Sequence, residues 1–363
     1  MTTLTAKPAV QAKTFVPPAP HAEGQGACPY CGGESRAPLY AGVRDRLGFA
    51  PGEWRFDQCA DCGAGIIAPF PEPADLPGFY PRVYGFSLEL GKQSAFRRLV
   101  NWLEYRCFFR PQYESQVRRV LRHSSWNRAP GQRMLDVGCG TGLRLVAFRR
   151  RGFDVEGMDF HQEAVEYLRR KHNIPAVCTD VEGLDQWFGV GSFDLLTAFH
   201  VVEHVPDVIA LFRRCWKLLK PGGYFVGAVP LLDCIQAQWF GKRWQPVTEA
   251  PRHLTLPTRL GLERVCSRTG FEPITFGADS TLNCAGMVGA TLLPGSAITH
   301  SYGSGRLWSM LKRLLGAALA VTAIPWCWIE NEVLRKPSLG IFCARKPVGQ
   351  TASAAIGSQD RRS

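Results

Sequence analysis

The chain has 363 residues, 45% of them hydrophobic and 20% charged, a balance that excludes a fibrous or wholly disordered polymer. That length holds one large α/β domain of roughly 200–250 residues plus an accessory module. With 43 Lys and Arg against 31 Asp and Glu, the net charge of +12 favours an anionic partner: nucleic acid, acidic headgroups or a phosphorylated substrate.

Residues 1–26 are rich in Ala, Pro and Thr, hold no continuous apolar core of signal-peptide length, and read as a disordered leader. Without an export signal the 13 cysteines are expected to be reduced, as in a cytoplasm. Four of them form two knuckles within residues 27–68, Cys28-Pro29-Tyr30-Cys31-Gly32 and Cys59-Ala60-Asp61-Cys62-Gly63. Two residues between thiols let both sulfurs face one tetrahedral ion, and the trailing glycine lets backbone N–H groups turn toward the thiolates. Cys28, Cys31, Cys59 and Cys62 are therefore expected to hold structural zinc in a small ribbon, with redox chemistry as the alternative. Four thiolates leave no open coordination position, so this ion would staple and not catalyse.

Residues 69–130 read as a proline-rich linker, with Pro69, Pro71, Pro73, Pro77 and Pro81, followed by a basic helical cap over about 92–122. Arginines there alternate with Phe96, Leu99, Trp102, Leu103, Phe108 and Phe109. The expectation is a pair of helices covering a crevice, with a membrane or RNA surface as the alternative.

Next, an apolar strand runs through Met134, Leu135, Asp136 and Val137 into Gly138-Cys139-Gly140-Thr141-Gly142 and a helix at 143–151. Glycines at this spacing allow a sharp turn and leave no Cβ between its N–H groups and a ligand. A second strand, 154–159, ends in Asp159, and after a helix over 162–172 a third ends in Asp180. A fourth strand at 193–198 leads into Phe199-His200-Val201-Val202-Glu203-His204-Val205-Pro206-Asp207. A helix to 219, a turn Lys220-Pro221-Gly222-Gly223 and a strand at 224–229 follow.

The glycine turn, the two strand-end acids, the E-H-V segment and the K-P-G-G turn together resemble the class I S-adenosylmethionine-dependent methyltransferases. The resemblance implies an α/β, Rossmann-like, doubly wound seven-stranded sheet with its last strand antiparallel, here joined to a small N-terminal zinc ribbon. It also implies S-adenosylmethionine as cofactor, held by Asp136, Gly138, Cys139, Gly140, Asp159, Phe160, Asp180, Val181 and Phe199. Within that set Asp159 would meet the ribose hydroxyls and Asp180 the adenine amino group. The cofactor core is expected over 131–280.

A helix at 258–269 and a strand near 273–277 continue the core, and the last core strand is expected within 337–347. Between them, 281–336 reads as an apolar insertion whose run from Leu314 to Ile329 is too short to span a bilayer. Basic residues before it and Trp326 and Trp328 at its end suit a lid or an interfacial helix, with a buried core helix as the alternative. The segment from Trp239 to Trp244, aromatic and cationic, is expected to lid the cleft as far as His253. Residues 348–363 read as a disordered tail.

Transfer of a sulfonium methyl needs an in-line nucleophile and often a base. His200 is the first candidate, because imidazole titrates near neutrality and sits at a strand's carboxyl end, followed by His204 and His253. The wording around Glu203 is also similar to the ubiquinone-pathway O-methyltransferases, whose E-x-x-E-H segment is associated with a divalent cation. His200 replaces the first acid, and no catalytic ion is assigned. The expected activity is O-methylation of a small, apolar or membrane-associated acceptor, in a cytoplasmic protein that is peripheral at the inner membrane face. C-methylation of an activated sugar and an RNA methyltransferase with a zinc module are the alternatives.

Overall fold

The computed structural model describes residues 26–72, 74–80, 102, 105–123, 131–272, 274–294 and 306–349. Residues 1–25 of the expected leader, 350–363 of the tail, 73 and 81–91 of the linker, and 92–101 and 103–104 of the basic stretch lie outside the described residues.

A small antiparallel sheet comes first in the chain, from β1 (Arg36–Val43), β2 (Trp54–Cys59) and β3 (Gly65–Ala68). The central sheet contains β4 (Arg133–Val137), β5 (Asp154–Asp159), β6 (Ala176–Cys178), β7 (Phe193–Phe199) and β8 (Leu219–Pro230). After a two-residue strand β9 (Thr255–Leu256), it is completed by β10 (Thr275–Ala278) and β11 (Leu339–Arg345). The order is β10-β11-β8-β7-β4-β5-β6, with β11 antiparallel to both neighbours. In β4, Met134 to Val137 are all buried, as a parallel strand covered on both faces requires.

The helices follow from their caps and stripes. After α1 (Arg110–His123) and α2 (Leu143–Arg149) comes α3 (Gln162–His172), which buries Ala164, Val165 and Leu168 on one face. Its first turn carries Glu163 and its last Arg169 to His172, charges that suit the helix dipole, and it stops at Asn173 with φ +49°. A single turn α4 (Leu184–Trp187) precedes α5 (Val208–Leu218), where the Asp207 carboxylate accepts from Ala210 N at 2.9 Å. The expected Lys220–Gly223 turn lies inside β8 as a bulge. Phe193 pairs with Leu219, whereas Leu195 pairs with Tyr224.

The N-terminal sheet is welded to the core. β9, reached through α6 (Ile235–Phe240), pairs with β3 and gives the order β1-β2-β3-β9. Tyr30, between the first two cysteines, is fully buried and its hydroxyl is 2.8 Å from Thr255 Oγ1. Thr258 caps α7 (Arg259–Arg268) by accepting from Gly261 N, while its hydroxyl donates to Cys62 O at 2.6 Å. Deeper, the Arg252 guanidinium is wholly buried between Asp45 (2.5 Å) and Glu249 (3.1 Å) and donates to Phe79 O at 3.3 Å. Two carboxylates and a carbonyl compensate its desolvation; removing one partner of such a pair typically costs about 3–5 kcal/mol.

The apolar insertion forms two helices, α8 (Thr281–Leu292) and α9 (Arg306–Trp328), packed side by side. A Cβ on Gly289 would come within 2.5 Å of Gly316 O, so only glycine permits this close approach. α9 is longer than the expected apolar run because its basic first turns are also helical. It carries Pro325 inside it and ends in a π turn, Ile329–Val333.

Candidate functional site

A cavity of about 1200 Å³ opens at the carboxyl ends of β4, β5 and β7, where open α/β sheets bind ligands. Its lining includes Gly138, Cys139, Gly140, Asp159, Phe160, Asp180, Val181 and Phe199, together with His200, His204 and His253. The remaining residue of the expected set, Asp136, sits behind the wall. It is fully buried, accepts from Thr197 Oγ1 at 2.6 Å and pairs with Arg144 Nη1 at 3.4 Å. Burial pushes its carboxyl up, opposed by the Arg144 guanidinium, which stacks 3.8 Å from the Phe199 ring centre. Asp136 therefore braces the turn from beneath.

The turn has Gly138, Gly140 and Gly142 at φ +70°, +52° and +71°, a region disfavoured for side-chain-bearing residues. At Gly140 a Cβ would meet nothing within 4 Å, so the turn's bare backbone faces open cavity. Gly140 N donates to Asp159 Oδ2 at 2.9 Å, and His161 N donates to Asp159 Oδ1 at 2.9 Å. The His161 ring Nδ1 lies 3.2 Å from the same Oδ1. Asp180 Oδ1 accepts from Gly183 N at 2.8 Å, and Val181 beside it is buried.

Opposite the turn, the three histidines differ. His200 leaves β7 with φ +57°, its N–H donating to Ala228 O at 2.8 Å, and its imidazole is exposed to the cavity. His204 and His253 are enclosed, 4.7 Å apart ring to ring. Their Nδ1 atoms lie 2.9 Å from Arg252 O and 2.8 Å from Pro246 O. A carbonyl only accepts, so each Nδ1 carries the proton and each Nε2 the lone pair. Burial pushes both rings down to about 4, which makes them neutral and weakly basic near neutrality.

Glu203, which the sequence marks only as the acid of an E-H segment, is set by the fold in an enclosure that the sequence does not show. Its carboxylate is fully buried, neither oxygen has a hydrogen-bond partner, and Oε1 lies 3.5 Å from His200 Nδ1. One ligand atom each from Glu203, His204 and His253 lies within 4.8 Å of the others, a set able to hold a cation. Also unforeseen were Tyr80, whose hydroxyl is 3.1 Å from His204 Nδ1 and whose ring meets Phe160 edge-on, and the α8 wall of Asn283, Gly286, Met287 and Ala290.

The lid expected from Trp239 as far as His253 meets the cavity only through its second half. Trp244 is fully buried in the core, and Trp239 points away to stack on Trp326 at 4.7 Å. The cavity edge is reached instead by Gln245, Pro246 and Glu249 from the following turn. From the basic stretch, α1 supplies Gln112, Tyr113 and Gln116 to the wall.

The four knuckle sulfurs form a second cluster, all within 4.8 Å of one another. Cys28 and Cys62 sulfurs are 3.6 Å apart and those of Cys31 and Cys59 3.5 Å apart, and no disulfide joins them. An ion bound to four thiolates at about 2.3 Å needs separations of about 3.8 Å. Gly33 N donates to Cys31 Sγ at 3.4 Å, the turned N–H that a knuckle supplies. The Cys62 thiol, hydrogen-bonded to Cys28, holds the latter down at about 5, so a thiolate is favoured within the cluster.

Strand order, antiparallel β11, the glycine turn and the acid at the end of β5 define the class I S-adenosylmethionine-dependent methyltransferase fold. A methyltransferase-domain family model matches residues 106–275. The ubiquinone biosynthesis O-methyltransferase of Xanthomonas campestris is 42% identical over 98 residues, 26% of this chain and 41% of that protein. Its counterpart in Ralstonia nicotianae is 32% identical over 140 residues, 37% of this chain and 58% of that protein. The chain thus spans about half the length of the curated relatives it matches. Among solved structures, phosphoethanolamine N-methyltransferase 2 of Haemonchus contortus has a TM-score of 0.46 at 20% identity, covering 70% of this chain and 61% of that one. Geranyl diphosphate C-methyltransferase of Streptomyces coelicolor has a TM-score of 0.44 at 18% identity, covering 74% and 94%.

Proposed function

We propose that this protein transfers a methyl group from S-adenosylmethionine to an oxygen of a small apolar acceptor in the cytoplasm. The observation that carries this reading is one cavity lined together by the glycine turn, Asp159, His200 and, from α8, Gly286, Met287 and Ala290. The bound cofactor supplies an electrophilic methyl on a sulfonium. Asp159 has about four acceptor sites, three of them taken by Gly140 N, His161 N and His161 Nδ1, so ribose binding would displace the His161 imidazole. Asp180 and Val181 would border the adenine, and His200, backed by Glu203, would take the acceptor's proton.

Among the described lining residues Arg144 is the only lysine or arginine, and it is engaged by Asp136 and Phe199. That favours an acceptor without phosphate over a nucleotide-linked sugar or RNA. The relatives named for ubiquinone biosynthesis support a quinol-like phenol. Cys28, Cys31, Cys59 and Cys62 would hold structural zinc, a donor set that fits by its sulfur separations and its turned N–H.

Calorimetry with S-adenosylmethionine and S-adenosylhomocysteine tests the cofactor. Binding in the micromolar range is expected, and Asp159→Ala should weaken it about tenfold to a hundredfold, the worth of one or two charge-assisted hydrogen bonds. No binding by the unaltered chain, or no change in the variant, would refute the reading. A methyl-transfer screen across catechols and quinols, nucleotide-sugars and structured RNA then selects the acceptor.

A further inference from the structure

We infer that the outward face of α9 is a docking surface for an anionic phospholipid bilayer, lying in the plane of the interface. The residues of α9 open to solvent recur at helical spacing: Leu311, Leu314, Leu315, Val321 and Trp328, with Leu314 67% and Val321 62% exposed. From Leu314 to Ile329 the chain has no charged residue. A water-facing helix stripe is normally polar, so this pattern is inverted. The opposite face, with Ala320, Ala323, Ile324 and Cys327, already packs on the protein core, so the exposed stripe is not a misplaced core. Only 22% of the most apolar stretch is buried, whereas a core helix is mostly buried.

The two ends name the occupant. Exposed Trp308 and Trp328 bracket the stripe, and Trp239, 62% exposed on its stack with Trp326, widens it. Aromatic rings of this kind favour the headgroup boundary. Lys312, 5.6 Å over the Trp308 ring, and Arg313 stand at one end; exposed Arg335 and Lys336 stand at the other. The acids of this region are engaged elsewhere: Glu332 pairs with Arg119 at 3.6 Å, and Glu330 is buried and accepts from Gln236. An apolar stripe with cationic ends complements a bilayer bearing negative headgroups.

The helix would lie on the bilayer and not cross it. The helix from Leu311 to Val333 is, by length and composition, long and apolar enough to cross a membrane, longer than the sequence run suggested; its uncharged part is about 24 Å at 1.5 Å per residue, short of the roughly 30 Å hydrocarbon core. It is also held to α8 at the Gly289–Gly316 approach and anchored by buried Cys327 and Glu330. The other side of α8 walls the cavity through Asn283, Gly286, Met287 and Ala290, so docking would set the acceptor site one helix away from the lipid. That purpose rests on the apolar-acceptor reading; the docking itself does not.

The full chain is sedimented with phosphatidylcholine vesicles and with vesicles containing phosphatidylglycerol. It is expected to pellet with the anionic vesicles, and the Leu314→Glu, Val321→Glu variant to lose at least about tenfold in partitioning with an unchanged melting temperature. The Lys312→Glu, Arg313→Glu variant should lose several-fold on anionic vesicles and little on neutral ones. The inference is overturned if the unaltered chain stays in the supernatant or if the apolar variant binds equally well. It is also overturned if light scattering shows a dimer, broken by that variant, in place of vesicle binding. Cofactor calorimetry on the same samples separates the two readings, because vesicle binding without cofactor binding would sink methyl transfer alone, and the converse would sink docking alone.

Discussion

The double substitution Cys28→Ser, Cys59→Ser is expected to remove one zinc per chain and to abolish the cooperative unfolding of the whole molecule, not of an N-terminal appendage. Structural zinc contributes roughly 10–16 kcal/mol of binding free energy to small knuckle folds, and a folded domain is stable by only about 5–15 kcal/mol. In this chain the knuckles share one apolar cluster with the central sheet and α7, including Leu135, Leu196, Leu262 and Val265. Tyr30 reaches Thr255, Thr258 reaches Cys62 O, and Arg268 donates to Tyr30 O at 3.2 Å. Loosening the knuckles therefore unties β3 from β9 and weakens the capping of α7. Metal analysis and denaturant titration check the prediction. Cys215→Ser, a buried thiol in the same apolar cluster but not among the four knuckle sulfurs, serves as the control that keeps its metal and loses about 1–3 kcal/mol. A double variant that kept full zinc and an unchanged midpoint would show the sulfurs to be packing groups only.

The central sheet was legible because its punctuation is local. Each parallel strand is a short apolar run that ends in a chemically marked residue, so Gly138 to Gly142, Asp159, Asp180 and Asp207 could be placed before any tertiary contact was known. β9 was not legible, since Thr255-Leu256 carries no pattern of its own and exists as a strand only because β3 lies beside it. Lys220 to Gly223 reads as a turn in sequence and becomes a bulge because Leu219 still pairs with Phe193. Trp244 looked like lid material, but aromatic composition does not distinguish a ring over a cleft from one in the core. Glu203 shows the same gap from the other side. Sequence marks the acid but not its enclosure, and enclosure is what gives a carboxylate without hydrogen-bond partners its hold on His200.

His200→Gly should separate chemistry from packing. At φ +57° a residue with a Cβ holds a strained left-handed conformation that costs of order 1 kcal/mol and that glycine adopts freely. The substitution is therefore expected to leave the melting temperature unchanged or slightly raised. Turnover on a phenolic or other hydroxyl acceptor should fall about 10²- to 10⁴-fold, the usual worth of a positioned base. A histidine that only packs would give the reverse, lowered stability with turnover retained. Glu203→Gln keeps the shape but replaces a carboxylate whose oxygen lies 3.5 Å from His200 Nδ1 with an amide, so it should lower kcat with little effect on KM. His204 and His253, pushed down to about 4 by burial, are neutral near neutral pH in both variants. Full turnover in His200→Gly would assign proton removal to the acceptor or another group, and an unchanged kcat in Glu203→Gln would leave the His200–Glu203 pair without a role in it.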